Sequence, residues 1–193
     1  PRDASVERVE DHRRDDQPRR ALQPTELTGV GLGETCDERF VADGVGGAAD
    51  GEVASKYATK KVLHEYYRLP EPDLGERLKA AIRAANADVF EHVQRQPELG
   101  RMGTTIVAMV VRGHELIVAN VGDSRAYLIR NGEIHQITRD HSLVAKLVEE
   151  GSITPKEAER HPKRNVVLRS IGAESEVYPD IFEGQLQPGD QIL

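Results

Sequence analysis

Apolar side chains follow two different periods along the chain, which divide it into a helical part and a strand-rich part. Over residues 52–69 and 74–93 they recur every three to four positions, the pattern of two amphipathic helices. Pro70 and Pro72 separate these two segments. Further along, the pattern changes to short runs separated by turn residues, the first of them rich in β-branched side chains, and predicts a series of strands. These strands are expected over residues 104–111, 115–121, 125–130, 133–138, 165–171 and 178–185.

Turn and cap residues indicate how these elements are connected. Asn131 and Gly132 stand between two strand-like runs and predict a type I′ hairpin, because that turn needs two positive φ angles. Residues 142–150 predict a short helix, and Thr154 followed by Pro155 is typical of the start of another. The strands form a meander and do not alternate with helices. This order favours an α+β fold with antiparallel sheets over βαβ units.

The first 24 residues differ in composition from the rest. Charged residues of both signs dominate residues 8–20, so this stretch buries too little apolar surface to offset the entropy of ordering it. We predict a flexible charged arm over residues 1–24, with an arginine-rich docking arm as the alternative. Residues 25–193 have the length of one domain. The final residues resemble the opening of a strand, so we expect the domain to be truncated at its C-terminal end.

Charge and cysteine content exclude several functional classes. The 193 residues include 26 Lys and Arg against 33 Asp and Glu, a net charge of −7, which argues against nucleic acid or an anionic membrane as a partner. A single cysteine, Cys36, excludes an internal disulfide and an all-thiolate metal site. No apolar run reaches the roughly 20 residues of a membrane span. No signal peptide is visible, and we expect a cytoplasmic protein.

Two acidic turns are the best candidates for chemistry. A short apolar run, residues 40–42, leads into Asp43 and Gly44 at the start of a glycine-rich loop, as a buried strand delivers a carboxylate to its end. Asp123 follows another predicted strand in the same way. Carboxylate and carbonyl oxygens are the ligands that Mg²⁺ and Mn²⁺ prefer. The alternative at Asp43 and at Asp123 is an ordinary turn, since Asp and Gly are common turn residues. For the glycine-rich loop after Asp43, this alternative includes a helix cap at Asp50.

Other catalytic patterns fit poorly. The glycine-rich loop lacks the Gly-Lys-Ser/Thr of a phosphate-binding loop, and Gly29, Gly31 and Gly33 do not have dinucleotide-binding spacing. The adjacent residues Asp140, His141 and Ser142 suggest a catalytic triad, but a triad is defined by geometry and not by adjacency in sequence. This stretch is better explained as a helix N-cap. The seven histidines have no zinc-ligand spacing.

Taken together and in this order, six short segments resemble the bacterial branch of the protein phosphatase 2C (PPM) family of metal-dependent Ser/Thr phosphatases. The matching segments are VADGVGG (41–47), GEVAS (51–55), MGTT (102–105), VANVGDSRAY (118–127), TRDHS (138–142) and HPKRNV (161–166). Each segment alone is only moderately specific. The resemblance extends over residues 40–193.

The resemblance implies a fold and a mechanism. The fold is a four-layer α-β-β-α sandwich of two antiparallel sheets flanked by helices. The mechanism uses two Mn²⁺ or Mg²⁺ ions, with a third in some bacterial members, and a water between the metals attacks phosphorus. By this resemblance Asp43 would bridge both ions as the catalytic carboxylate, and the Gly44 carbonyl would bind one ion. Asp123 would help to hold the third, and Asp37 is the approximate counterpart of a further ligand. Phosphorylated proteins, including a Ser/Thr kinase and its targets, are the implied partners.

The sequence also departs from the family pattern. No arginine stands at the phosphate-binding position ahead of Asp37, Ala48 occupies the place of a histidine proposed as general acid, and the last residues precede two further carboxylate motifs. Loss of such ligands weakens a two-metal site. Two alternatives therefore remain beside the enzyme. One is an inactive phosphatase-like module that binds a kinase or phosphoprotein, and the other is a truncated chain that associates through unpaired edge strands.

Overall fold

The computed structural model describes residues 36–41, 44–45, 48–95 and 103–193. The predicted charged arm, residues 1–24, lies outside these ranges. The described helices are α1 (Ala48–Arg68), α2 (Leu74–Arg95), α3 (Leu143–Glu149) and α4 (Pro155–Glu159). The described strands are β1 (Cys36–Val41), β2 (Gly44–Val45), β3 (Gly103–Thr104), β4 (Ile106–Arg112), β5 (Glu115–Val121), β6 (Tyr127–Arg130), β7 (Glu133–Gln136), β8 (Asp180–Gln185) and β9 (Gln191–Ile192).

The two long helices form where the helical period predicted them. Their apolar stripes face each other and the sheet, and Val62, Leu78 and Ile82 are fully buried there. α1 begins at Ala48, so Asp50 lies inside its first turn and is not its cap. The Asp73 carboxylate accepts a hydrogen bond from the Glu76 amide at 2.8 Å and caps α2. Within the described ranges, neither these helices nor the shorter ones have the length and hydropathy to cross a bilayer.

β4 lies at the centre of the molecule and is buried on both faces. The larger sheet has the strand order β1-β4-β5-β8, and each neighbouring pair is antiparallel. One face, with Ile106, Ala108 and Val110, packs against α1 and α2. The other, with Val107 and Met109, packs against the smaller sheet β7-β6-β9. Each Ile, Val or Met side chain of this strand contributes about 1.5–3 kcal/mol when it is fully buried.

This arrangement agrees with the predicted α+β class of two antiparallel sheets with helices outside. The helix pair, the larger sheet and the smaller sheet form three of the four predicted layers. The meander also has the predicted turns. Asn131 and Gly132 have φ angles of 53° and 81°, as a type I′ turn requires. β4 and β5 are joined through Gly113 and His114, with Arg112 opposite Glu115.

The helical insert follows its sequence signals closely. Ser142 is the N-cap of α3, where its hydroxyl accepts a hydrogen bond from the Ala145 amide at 3.2 Å. Thr154 and Glu157 form a reciprocal capping box at the start of α4. In contrast, the strand predicted over residues 165–171 is wrong. That segment makes only isolated bridges, from Val167 to Ser142 and from Ile171 to Thr104. Its backbone partners belong to a cap and a two-residue strand, so no ladder can extend.

An arginine–aspartate pair joins the smaller sheet to the C-terminal turn and predicts a pH dependence of stability. Arg130 Nε lies 2.9 Å from Asp190 Oδ1, and the Gln187 amide donates to Asp190 Oδ2 at 2.8 Å. The hydrogen bonds from Arg130 are the main reason that the pKa of Asp190 lies below its ordinary value. The stabilisation is therefore complete above the unfolded-state pKa, about 3.9, and is lost as the pH falls through the lower folded-state pKa.

We expect Asp190→Asn to be less stable than the parent chain at pH 7, with a difference that shrinks as the pH falls below about 4. Urea unfolding of both proteins between pH 7 and pH 3 measures this difference. A difference that stays constant with pH would contradict the ion-pair explanation, because it would assign the loss to packing alone.

Candidate functional site

The ends of several strands meet at one edge of the larger sheet. β1 and β5 lie on either side of β4 and are both antiparallel to it, so they run in the same direction and end at the same edge. In the register, Val41 is opposite Val107, Val107 is opposite Asn120, and Asn120 is opposite Asp180 at the start of β8. β1 and β5 therefore end at this edge, and the residues that follow β5 or open β8 are brought to it.

Some of the predicted site residues lie at this edge of the sheet and others do not. Asp123 directly follows β5 and lies there. Gly44, in β2, pairs with Thr104 just ahead of β4 and is at the same edge. Asp43 falls outside the described residues, between the end of β1 and Gly44 in sequence. Asp37 pairs with Val111, near the far end of β4. At about 3.4 Å per residue, its backbone is separated from that edge by most of the strand, and we do not include it in the site.

The turn that carries Asp123 is tightly fixed. Gly122 has a φ of 114°, and its α-carbon lies against Thr105, so that a side chain there would overlap that residue. The Thr105 and Ser124 hydroxyl oxygens are 2.7 Å apart, which ties the residue after Asp123 to the residue before β4. Rigidity of this kind fixes the direction in which a carboxylate points before any ligand binds.

The loop before α3 lies along this turn and is joined to it by hydrogen bonds. The buried Asn120 amide donates to the Gly122 carbonyl at 3.2 Å and to the Arg139 carbonyl at 2.7 Å. The His141 amide donates to the Gly122 carbonyl at 2.9 Å, and its ring Nδ1 lies 3.1 Å from the Gly122 amide. Sequence reasoning assigned no role to Asn120. The sequence feature that could have identified Asn120 is a polar residue within the apolar strand that precedes Asp123.

Asp140, His141 and Ser142 do not form a triad. Arg125 Nε lies 2.9 Å from Asp140 Oδ1 and 3.0 Å from Oδ2, and these hydrogen bonds raise the pKa of Arg125 well above its usual value. His141 faces Gly122, and Ser142 caps α3. Each of the three side chains therefore has a separate partner, as the cap interpretation predicted.

A groove of about 1020 Å³ adjoins the Asp123 turn. It lies between the hairpin β6–β7 and the helical insert. Its lining includes Arg125, Tyr127, Gln136, Arg139, Val144, Val148, Ala158 and Arg164. Arg125 is paired with Asp140. The side chains of Arg139 and Arg164 are exposed and have no ion pair within the described part of the chain. The groove thus offers two arginines without an ion pair among the described residues, beside an acidic turn and the exposed carboxylates of Glu149 and Glu159.

The donor chemistry of this edge suits a hard divalent cation. Asp123 is partly buried, and its carboxylate has no hydrogen bond or ion pair to any residue in the described ranges. A partly buried carboxylate without a partner is a favourable ligand for Mn²⁺ or Mg²⁺, which prefer oxygen donors. Among the described side chains of residues 54–95 and 103–193, no cluster of three or more His, Cys, Asp or Glu could hold a metal alone.

The chain is similar to known phosphatases over most of its length. Residues 35–149 match the family described as protein phosphatase 2C. Over 153 residues the chain is 42% identical to the serine/threonine protein phosphatase PstP of Mycobacterium tuberculosis, a match that covers 79% of this chain and 30% of PstP. It is 36% identical over 158 residues to the serine/threonine phosphatase stp of Listeria monocytogenes, which covers 80% of this chain and 63% of stp. The chain thus spans less than two thirds of these curated relatives.

Solved structures show the same similarity. The crystal structure of the M. tuberculosis phosphatase PstP/Ppp superposes with a TM-score of 0.73 at 41% identity, over 80% of this chain and 66% of that chain. The catalytic domain of PstP in complex with two manganese ions gives 0.69 at 39% identity, over 80% and 64%. The serine/threonine phosphatase of S. agalactiae gives 0.76 at 34% identity, over 82% and 66%.

Proposed function

Because the chain belongs to the protein phosphatase 2C family, we propose that it is a metal-dependent phosphoprotein phosphatase that hydrolyses phosphoserine and phosphothreonine monoesters. The observation that carries this proposal is the Asp123 carboxylate, which has no partner in the described ranges and stands on a rigid turn at the sheet edge where β1 ends and Gly44 lies. The similarity to a phosphatase crystallised with two manganese ions supports the choice of metal.

We assign the metal-binding role to three positions of this chain. Asp43 and the Gly44 carbonyl would hold a pair of Mn²⁺ or Mg²⁺ ions, with Asp43 shared between them as the catalytic carboxylate, and Asp123 would contribute to an adjoining third ion. When bound, such ions supply Lewis acidity toward the phosphoryl oxygens and lower the pKa of a water molecule. The protein contributes fixed oxygen donors, because the Asp123 turn is held in place before a metal arrives.

The groove beside Asp123 is the proposed binding surface for the phosphorylated protein. An extended peptide segment can lie between the β6–β7 hairpin and the helical insert, with its phosphate directed toward the acidic edge. The cations of Arg139 and Arg164 would attract the phosphate, since charge-assisted hydrogen bonds to phosphate are strong. The excess of 33 acidic over 26 basic residues makes a nucleic acid an unsuitable substrate.

The class of substrate also suggests partners and location. We propose that a Ser/Thr kinase and the proteins it phosphorylates are the partners of this chain. We also propose a cytoplasmic location, which is consistent with its single cysteine.

The direct test is phosphate release from a phosphothreonine peptide and from p-nitrophenyl phosphate by the full chain, in the presence of Mn²⁺. We expect release that stops on addition of EDTA and returns when Mn²⁺ is restored in excess. If the chain bound the phosphopeptide, as measured by fluorescence anisotropy, but released no phosphate, the inactive binding module would be the correct interpretation.

For Asp123 we expect a change in metal dependence more than in maximal rate. Asp123→Asn keeps the shape of the side chain and removes its charge, so the Mn²⁺ concentration for half-maximal activity should rise by about 10-fold or more. Asp73→Asn is a matched control, because Asn caps α2 as well as Asp does. An Mn²⁺ dependence of Asp123→Asn equal to that of the control would remove Asp123 from the metal site.

A further inference from the structure

His141 is a buried histidine whose two ring nitrogens both have partners. Its side chain is only 7% exposed. Nδ1 lies 3.1 Å from the Gly122 amide nitrogen, and Nε2 lies 3.2 Å from Asp180 Oδ2. Arg169 Nη1 lies 3.0 Å from Asp180 Oδ1 and 3.1 Å from His141 Nε2. The ring therefore links the Asp123 turn to the ion pair of Asp180 and Arg169 at the start of β8.

These contacts determine which ring nitrogen carries the proton. The Gly122 amide can only donate, so Nδ1 must accept and carries no proton. Nε2 then carries the ring proton and donates it to the Asp180 carboxylate, so the 3.1 Å approach of Arg169 Nη1, which can also only donate, is not a hydrogen bond to the ring. The guanidinium of Arg169 also donates to that carboxylate and to the Tyr178 carbonyl at 3.1 Å. The hydrogen-bond network thus assigns the tautomer of the ring that carries its proton on Nε2.

His141 also forms a hydrogen bond with the Gly122 carbonyl, through its own backbone amide. The His141 backbone amide donates to the Gly122 carbonyl at 2.9 Å, while its ring accepts from the Gly122 amide. Both polar groups of the residue preceding Asp123 are therefore held by a single residue of the neighbouring loop. These two bonds hold the turn together with the hydrogen bond from the Asn120 side chain and the contact with Thr105.

We propose that His141 is a positioning residue for Asp123. Its ring accepts the Gly122 hydrogen bond, which holds the Asp123 carboxylate in the orientation that favours a divalent cation. The Asp180 carboxylate, itself held by Arg169, accepts from Nε2 and keeps the ring in the required tautomer. His141 acts through Gly122 and contacts neither metal nor substrate. This inference rests on the proposed function, in which Asp123 is a metal ligand.

Two substitutions separate the acceptor at Nδ1 from the donor at Nε2. In His141→Asn the side-chain oxygen lies close to the position of Nδ1 and can still accept from Gly122, but the contact with Asp180 is lost. In His141→Gln the terminal amide reaches toward Asp180, and no acceptor remains near Gly122. If the ring acts only by filling space, both variants should be affected according to their loss of packing.

The experiment measures Mn²⁺ binding directly, by electron paramagnetic resonance of the free ion, on the full chain and both variants. We expect His141→Asn to stay within about 3-fold of the parent affinity and His141→Gln to bind about 10-fold more weakly or worse, the usual cost of losing a residue that supports a metal ligand. Thermal unfolding of all three proteins separates this effect from stability. Equal affinities, or losses that simply follow the unfolding temperatures, would overturn the proposal.

A second readout does not depend on the metal. In ¹⁵N–¹H spectra of the metal-free chain, the Gly122 and Asp123 amide signals should keep their positions in His141→Asn and shift in His141→Gln. Unchanged signals in both variants would overturn the positioning role. If the parent chain neither bound Mn²⁺ nor released phosphate, the proposed function would fail, while these signals would still decide whether His141 orients the turn.

If His141→Gln does not fold, Asp180→Asn provides a substitute that leaves the histidine in place. It weakens the partner of Nε2 without adding or removing a heavy atom of the ring. We expect a smaller loss of Mn²⁺ affinity in the same direction, together with a shift of the Gly122 amide signal. A parent-like affinity and an unmoved signal would count against the role of the Asp180–Arg169 pair.

Discussion

Replacing Asp43 with Asn should lower the rate of Mn²⁺-dependent phosphate release by more than about 100-fold. Loss of a group that merely supports a metal ligand costs about 10- to 100-fold, and Asp43 is proposed to bind two ions directly. The substitution keeps the size of the side chain and removes the negative charge that offsets the repulsion between two cations. Steady-state kinetics with a phosphothreonine peptide, at several Mn²⁺ concentrations, measure the effect.

This result is distinguished from a folding defect by two comparisons. Asp43→Asn should unfold at the same temperature as the parent when both are free of metal, and only the parent should gain stability when Mn²⁺ is added. Asp73→Asn, the same chemical change at the start of α2, should remain fully active. Phosphate release by Asp43→Asn at the parent rate would remove the central carboxylate of the proposed mechanism.

Replacing Gly122 with Ala should cause the largest loss of stability among single substitutions in the described part of the site. At a φ of 114° a side chain is strained wherever it is placed, and here it would also meet Thr105, whose Cβ would lie only 2.5 Å away. Backbone strain costs roughly 1–3 kcal/mol, and forcing extra volume into a packed region costs roughly 1–3 kcal/mol more. Urea unfolding should therefore show a loss of about 2–6 kcal/mol.

Gly113→Ala is the matched control for this prediction. Gly113 also has a positive φ, 61°, but an added methyl group there would meet no atom within 4 Å. Its loss should be limited to the conformational cost of about 1–2 kcal/mol. If the two substitutions were equally destabilising, the close approach of Gly122 to Thr105 would not be what fixes the Asp123 turn.

Local sequence patterns predicted most of the elements because those elements depend on local periodicity. β5 forms over the residues that the strand pattern indicated, and α2 begins at the predicted Leu74. The apolar pattern of residues 165–171 was misleading for a related reason. A short apolar run such as residues 166–168 forms a strand only where a neighbouring strand is available, and Val167 meets a helix cap instead. Whether a neighbouring strand is available depends on the tertiary fold and not on the local sequence.

The site was predictable only in part. The pattern of a carboxylate after an apolar strand correctly predicted that Asp123 lies in a turn at a strand end, because the geometry of a strand end is local. The contacts of His141 with Gly122 and Asp180 join residues that are distant in sequence, and no periodicity reports such contacts. For Asp37, similarity to a motif in sequence did not correspond to a position beside the other candidate residues. Asp37 resembled a motif residue, but the antiparallel register of β1 with β4 sets it opposite Val111.

The two-residue connection between β4 and β5 has a consequence for how this protein can vary in length. Gly113 and His114 lie at the end of the hairpin remote from Asp123, yet they set which residues of the two strands stand opposite each other along its whole length. If an extra residue in this connection shifted the pairing by one position, every side chain of one strand would turn to the opposite face. Asn120 would then no longer reach the Gly122 and Arg139 carbonyls, so the length of this short connection bears on the Asp123 turn at the other end of the β4–β5 ladder.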